Sequence, residues 1–199
     1  MLKPIHIVNS VFTSRTYVLI DDSDIWLVDC GDVQPLLSIF AYVNGGNYHI
    51  KGVLITHAHF DHIYGLPKIM ELFPDVYVYT NEYGKLALSN EKMNLSRYHG
   101  VHIEINSDKV IVCGDGDVID MFDDWSAKVI FTPGHNPSCL TFEMGDYLFT
   151  GDAYIPGCKV VTNLPDADKK QATESVARIK KLSEGKIICP GHEIVKNDE

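Results

Sequence analysis

Thr56-His57-Ala58-His59-Phe60-Asp61-His62 is the stretch on which the reading of this chain turns. Three imidazoles and a carboxylate crowd into positions 57 to 62. Nitrogen and oxygen donors at that density suit Zn²⁺ or Fe²⁺ far better than they suit a folded core. The chain has 9 histidines in 199 residues, so one stray His carries little; three interleaved with Asp61 carry much more. The apolar run Val53-Leu54-Ile55 ahead of the cluster reads as a strand, and Gly65-Leu66-Pro67 behind it opens a helix. Ligands at such a turn project from one edge of a sheet, where substrate can reach a metal.

Three further segments place a donor just after a β-like run. Val129-Ile130-Phe131-Thr132-Pro133-Gly134 leads into His135, Tyr147-Leu148-Phe149-Thr150-Gly151 into Asp152, and Ile187-Ile188-Cys189-Pro190-Gly191 into His192. A glycine precedes each donor. Without a Cβ the backbone turns sharply at the sheet edge and an ion can approach. Singly each dipeptide is only a turn signal. Their order and shared context make the set specific.

Taken together these motifs resemble the metallo-β-lactamase superfamily of hydrolases, and among its branches the glyoxalase II group. The carrying residues are Thr56 to His62, Thr132-Pro133-Gly134-His135, Thr150-Gly151-Asp152 and Pro190-Gly191-His192-Glu193. Ile25-Trp26-Leu27-Val28-Asp29-Cys30-Gly31 resembles the family's strand ending in an Asp that steadies the site from behind. The resemblance implies an α/β (α+β) fold, an αββα sandwich of two mixed β-sheets face to face with helices outside. It also implies that His57, His59 and His135 hold one metal, that Asp61, His62 and His192 hold a second, and that Asp152 bridges them. Donor chemistry points the same way, because seven ligands exceed the four of one tetrahedral Zn²⁺. Zinc is the default ion, with iron and manganese as alternatives. A hydroxide shared by two such ions would attack a carbonyl carbon, with Asp61 aiming it. Asp29 would act behind the ligands, where outer carboxylates orient imidazoles.

The bond cut is less legible, since one fold hosts many reactions. Glyoxalase II enzymes hydrolyse a glutathione thioester, and Gly157-Cys158-Lys159 resembles their stretch ahead of a substrate-binding Lys. Lys159 is therefore expected to meet a substrate carboxylate, and Tyr154 to border the pocket. Three departures stand against a strict match. Ile194 occupies the place of a glutathione-binding Tyr, Asn136-Pro137-Ser138-Cys139 replaces the commoner Thr-Pro-Gly-Ser, and a chain ending at Glu199 lacks the helical domain that completes the glutathione pocket. A thioester remains the first expectation, on a small-molecule or carrier-bound acyl substrate, because a thiolate leaves without a general acid. A lactone or β-lactam is the enzymatic rival. A non-catalytic metal-binding scaffold that binds a partner is the alternative of another class, weakened by every ligand position being intact.

Composition is that of one domain over residues 1–199: 45% hydrophobic and 22% charged, enough for a sizeable core. No apolar run approaches the ~20 residues that cross a membrane. Met1-Leu2-Lys3-Pro4 does not read as a secretory signal, which points to the cytoplasm. Five scattered cysteines suit reduced thiols; Cys139 and Cys189 read as buried, while Cys30 and Cys158 fall near the site. A net charge of −10 repels a phosphate backbone and disfavours a nuclease. His49, His99 and His102 lie outside the motifs, and Met93, Leu95 and Tyr98 are candidates for a loop that lids the metals.

Periodicity predicts helices over 34–43, 66–73, 81–89 and 168–182, with strands between them. The last helix carries Ala172, Val176, Ile179 and Leu182 at helical spacing. Asp115-Gly116, between Val110-Ile111-Val112 and Val118-Ile119, reads as a tight hairpin turn. Met144-Gly145-Asp146 reads as a second hairpin, joining Ser138 to Phe142 with Tyr147-Leu148-Phe149. Oligomeric state is not legible.

Overall fold

The computed structural model describes residues 3–193. The first half of the chain builds one sheet from β1 (Ile5–Val8), β2 (Arg15–Asp21), β3 (Asp24–Val28), β4 (His49–Leu54), β5 (Tyr77–Thr80) and β6 (Val110–Val112), in that spatial order. Strands β1 to β3 run antiparallel; β3 to β6 run parallel. The second half builds a sheet from β7 (Val118–Phe122), β8 (Trp125–Phe131), β9 (Leu140–Met144), β10 (Tyr147–Gly151) and β11 (Ile187–Pro190), ordered β11-β10-β9-β8-β7. Its one parallel pair is β10 with β11. Both sheets are mixed, as expected.

Alternation along the strands makes the layers, because successive side chains leave opposite faces. In β2 and β3, Tyr17, Leu19, Trp26 and Val28 face the second sheet and pack with Val129, Phe142 and Phe149. Val18, Ile25 and Leu27 face the other way, onto α1 (Val33–Phe40), α3 (Leu66–Leu72) and α4 (Glu82–Leu88), through Leu36, Phe40, Leu66, Ile69 and Ala87. On the far side Ile130 and Leu148 receive Ile179 of α5 (Lys169–Leu182). Helix, sheet, sheet, helix is the result, the αββα sandwich. Each large apolar side chain so buried is worth ~1.5–3 kcal/mol. Trp26 keeps its polar atom satisfied in the middle layer by donating from Nε1 to the Met121 carbonyl, 3.1 Å.

Three local expectations need correction. Asp115-Gly116 is no hairpin turn: β6 pairs with β5 and β7 with β8, so the chain crosses here from one sheet to the other. The reason is burial, since Ile119 and Met121 belong to the core between the sheets and draw β7 to the second one. The 34–43 helix ends at Phe40 and gives way to a 3₁₀ turn, Val43–Gly46, in which Asn44 and Gly45 turn left-handed. A one-turn helix, α2 (Phe60–Ile63), forms inside the His cluster itself, ahead of the helix expected from Leu66. The hairpin at Met144-Gly145-Asp146 joins β9 and β10 as read. Ile194 lies outside the described residues.

No helix among the described residues is long and apolar enough to cross a membrane.

Candidate metal centre

The expected donors all arise where strands end at one edge of the sandwich. Asp29 follows β3, His57 to His62 follow β4, His135 follows β8, Asp152 follows β10 and His192 follows β11. The sites of open α/β sheets also lie beyond the carboxyl ends of strands. Folding brings seven side chains together: His57, His59, Asp61, His62, His135, Asp152 and His192. They form three overlapping groups, His57/His59/His135, His57/His62/Asp152 and Asp61/His62/His192, with ligand atoms inside 4.8 Å of one another.

Asp152 stands between the two ends. One oxygen lies 3.7 Å from His135 Nε2 and 3.2 Å from His192 Nε2, and the other 3.5 Å from His62 Nε2. Asp61 Oδ2 lies 3.4 Å from His192 Nε2 and 3.7 Å from His62 Nε2. His135 Nε2 faces His59 Nδ1 at 3.0 Å. Outer nitrogens are tied down from behind: His62 Nδ1 donates to Asp29 Oδ2 at 2.8 Å, His135 Nδ1 to the Val161 carbonyl at 2.9 Å and His192 Nδ1 to the Phe12 carbonyl at 2.8 Å. Such bonds fix the tautomer that leaves Nε2 bare toward the cluster.

That arrangement fits divalent cations. With both Nδ1 atoms tied to acceptors behind them, His62 Nε2 and His192 Nε2 are turned toward each other at 3.2 Å. His57 Nε2 and Asp152 Oδ1 are buried with no hydrogen-bond partner among the described residues. Buried polar atoms are seldom left so, because the lost hydration costs about 1–3 kcal/mol each. The electrostatics agree. Burial lowers the basicity of His57 and His59, the latter to about 3, and the neighbouring imidazoles add to it. Burial would do the same to His62, yet Asp61, Asp29 and Asp152 overcome it and hold that ring well above its usual range. His192 rises to about 9 for the same reason, against its own burial, through Asp152 and Asp61. The carboxylates call for positive charge at this point.

Asp29 sits at φ 59, and its two oxygens accept from the Thr56 N–H and Thr56 hydroxyl, each at 2.7 Å, besides holding His62. Asparagine and aspartate are the residues that tolerate this conformation. The sequence reading gave no role to two residues that brace the donors, Asn136 and Ser14. Asn136 places Nδ2 3.1 Å from His59 Nε2, and its Oδ1 accepts from the Ser138 N–H and hydroxyl. Ser14 donates its hydroxyl to the Asp61 carbonyl at 2.7 Å. The Asn136-x-Ser138 spacing is an Asx-turn signal that could have been read; Ser14 gives no local signal.

The glycines ahead of the donors meet half of the expectation: Gly134 and Gly151 take the positive φ of a sharp turn, but the space beside them is not left for an ion. At Gly134, φ 133, an added Cβ would fall 2.1 Å from the backbone nitrogen of Ala172, so the space is taken by α5 and not left for an ion. Only Gly191 borders donors, where a Cβ would lie 2.2 Å from Asp152 Oδ1.

The remaining candidates are distributed around the centre. Lys159 lines a small cavity with His135, Asp152 and Ile155. Tyr154 is not part of that cavity's lining and instead lines a larger groove with Lys159, under Lys180. Glu193 pairs with Arg15 and does not touch the ligands. Cys30 is fully buried, its thiol pushed up by burial, and belongs to none of the donor groups; Cys158 is exposed beside Lys159. His49 pairs with Asp24 and His102 with Glu91. His99 stacks on Phe60 at 4.1 Å, with Phe12 edge-on to both. Met93 and Leu95 pack onto the helix-side core instead of lidding the donors. A wider cavity of 720 Å³ opens at the opposite end of the sheets, among Asp21, Asp24, Asp120 and Asp124, and shares no residue with the centre.

Comparison with known proteins agrees with this geometry. A hydroxyacylglutathione hydrolase of Francisella philomiragia subsp. philomiragia is 29% identical over 189 residues, covering 93% of this chain and 65% of that protein. The chain thus spans about three fifths of the length of the curated relatives it matches. Among solved structures, the BLEG-1 B3 metallo-beta-lactamase superposes with a TM-score of 0.82 at 25% identity, covering 98% of this chain and 92% of that one. TTHA1623 in a di-iron-bound form superposes with a TM-score of 0.79 at 26% identity, covering 96% and 92%. Residues 10–192 match the family described as Metallo-beta-lactamase superfamily, so to that superfamily this chain belongs.

Proposed function

We propose that this protein is a metal-dependent hydrolase of thioesters. The observation that carries the reading is the pair of donor groups at the sheet edge, joined through Asp152 and completed by bare imidazole nitrogens. In it His57, His59 and His135 would hold one divalent ion and Asp61, His62 and His192 a second, with Asp152 offering a carboxylate oxygen to each. Zinc is the default, with iron or manganese as alternatives; the di-iron form of TTHA1623 favours keeping iron open. Ions held there would supply Lewis acidity toward a carbonyl and would ionise water near neutral pH.

The chain's own groups do the rest. Asp61, whose Oδ2 lies 3.4 Å from His192 Nε2, would accept a hydrogen bond from the attacking water and aim it. Asp29, Val161 and Phe12 keep three imidazoles in register through the hydrogen bonds already described. Water adds its oxygen to the thioester carbon, the C–S bond breaks, and a carboxylate and a thiol leave, with one of the water's protons passing to the thiolate sulfur and the other to solvent. Lys159, at the mouth beside His135 and Asp152, is proposed to meet an anionic group of the substrate. The hydroxyacylglutathione hydrolase relatives support a thioester as the bond. Free cysteines suit a reducing compartment, and a cytoplasmic place belongs to this reading. The lactamase likeness favours a second reading, a β-lactam or lactone as substrate.

The test is elemental analysis of purified protein followed by a hydrolysis panel of thioesters, lactones, β-lactams and phosphodiesters, run on wild type and Asp152→Ala. Expected are two ions per chain, thioester turnover, and loss of both in the variant. Full turnover with both ions retained in Asp152→Ala would refute the ligand assignment, and a preference for β-lactams would replace the substrate.

A further inference from the structure

Beside the metal centre a groove of 640 Å³ runs between the 154–162 segment and α5. It lies beside the centre, since Lys159 and Val160 line both the groove and the small cavity at His135 and Asp152. Its volume is that of a small-molecule site. One face of α5 supplies a wall: Lys169, Ala172, Thr173, Val176 and Lys180, spaced so that a helix puts them side by side. Ala172 and Val176 make the floor apolar, while Lys159, Lys169 and Lys180 ring it with positive charge.

This ring is unusual for its chain. Net charge is −10, yet none of the residues lining the groove is acidic. The lysine ion pairs among the described residues fall at Lys51, Lys68, Lys109 and Lys186, none of them in the groove. Asp168, next to Lys169, is engaged elsewhere, accepting the Gln171 N–H at 2.9 Å as the cap of α5. Lys180 is held above the Tyr154 ring, 5.8 Å from its centroid, which keeps the ammonium over the groove. Three lysines with no carboxylate partner among the described residues ring an apolar floor beside the proposed thioester-cleaving centre, and they call for an elongated molecule with negative charge along it.

We propose that the groove receives the anionic thiol half of the substrate, with Lys169 and Lys180 as specificity-determining residues. The inference rests on the thioester reading above and deepens it. The acyl carbon lies at the metals, Lys159 meets the tail as it leaves the centre, and Lys180 and Lys169 hold its outer charges. A thiol carrying carboxylates, such as glutathione, and a thiol carrying phosphates, such as coenzyme A, share this chemistry. A thioester of an uncharged thiol has nothing for the lysines to hold.

Three thioesters of one acyl group separate these cases: those of glutathione, coenzyme A and neutral N-acetylcysteamine. The quantity read is the preference, kcat/KM for each anionic thioester divided by that for the neutral one, in metal-loaded wild type and Lys169→Ala/Lys180→Ala. The double variant is expected to lose preference about tenfold through KM, and Lys180→Arg to keep it, as charge-assisted contacts would require. Whichever anionic thioester shows the loss names the tail. Metal content and circular dichroism of the variant check that it folds and loads. A wild type that hydrolyses the neutral thioester while the variant's preferences stay within twofold would overturn the groove and leave the function standing. A wild type inactive on all three would overturn the thioester reading, and the groove's occupant with it.

Discussion

Asp29 shows how one residue can govern a metal site without touching the ion. Its carboxylate joins Thr56 to His62 and thereby dictates that His62 carries its proton on Nδ1. Asparagine would keep the left-handed backbone, but its amide NH₂ would face His62 Nδ1 and force the proton onto Nε2. Asp29→Asn should therefore weaken the ion at Asp61/His62/His192 by ~10–100-fold, the usual effect of losing such a partner. Chelator competition would resolve this as one weak and one tight ion, and two tight ions would contradict it. The motif made the ligands legible because His and Asp at these positions have little else to do. Asn136 and Ser14 escaped notice because a brace is defined by what it touches, and their partners lie 77 and 47 residues away.

At the scale of elements, α5 is fastened to the turn that presents His135. Ser175 donates to the Pro133 carbonyl at 2.6 Å, the Asp168 N–H donates to the Gly134 carbonyl at 2.8 Å, and Ala172 fills the space beside Gly134. Gly134→Ala should cost at least ~2 kcal/mol, from a clash with helix backbone and a positive φ disfavoured for alanine. Urea denaturation would measure the loss; a midpoint equal to wild type would mean the helix yields freely. The other fastening is Asp115, which accepts from the Phe131 N–H at 2.7 Å and pairs with Arg178 of α5. Partial burial works against its ionisation, but those two partners hold the carboxyl below its usual 3.8. A depressed folded value gives stability that is present above pH 3.8 and is lost as pH falls through the folded value. Asp115→Asn should flatten that stretch of the stability-versus-pH curve, a small effect at an exposed pair. The same residue marks where the sequence misled. Asp-Gly between two β-branched runs obeys the rules of a hairpin, and only the partner strands, β5 and β8, show it to be a crossover.

On the scale of the whole molecule, the centre staples the two sheets together. Its donors follow β4 in one sheet and β8, β10 and β11 in the other, and two buried carboxylates, Asp29 and Asp61, meet the partly buried Asp152 at that edge. Ions that bind only the folded chain stabilise it by mass action, so chelation should lower Tm by about 5–10 °C for a chain of this size. A thermal scan of chelator-treated and zinc-reconstituted protein checks this, and equal values would show that the donors do not bind a cation tightly. The sequence by itself determined the superfamily and, through that resemblance, the sandwich and the seven candidate donors, since the motifs that carry the resemblance are local stretches that survive without coordinates. The tertiary structure alone decided which side chains orient those donors, where the chain changes sheets, and that one face of α5 lines a basic groove beside the centre. Those facts are relations between residues distant along the chain, and they come into being only when burial of the two sheet faces fixes the register that brings them together.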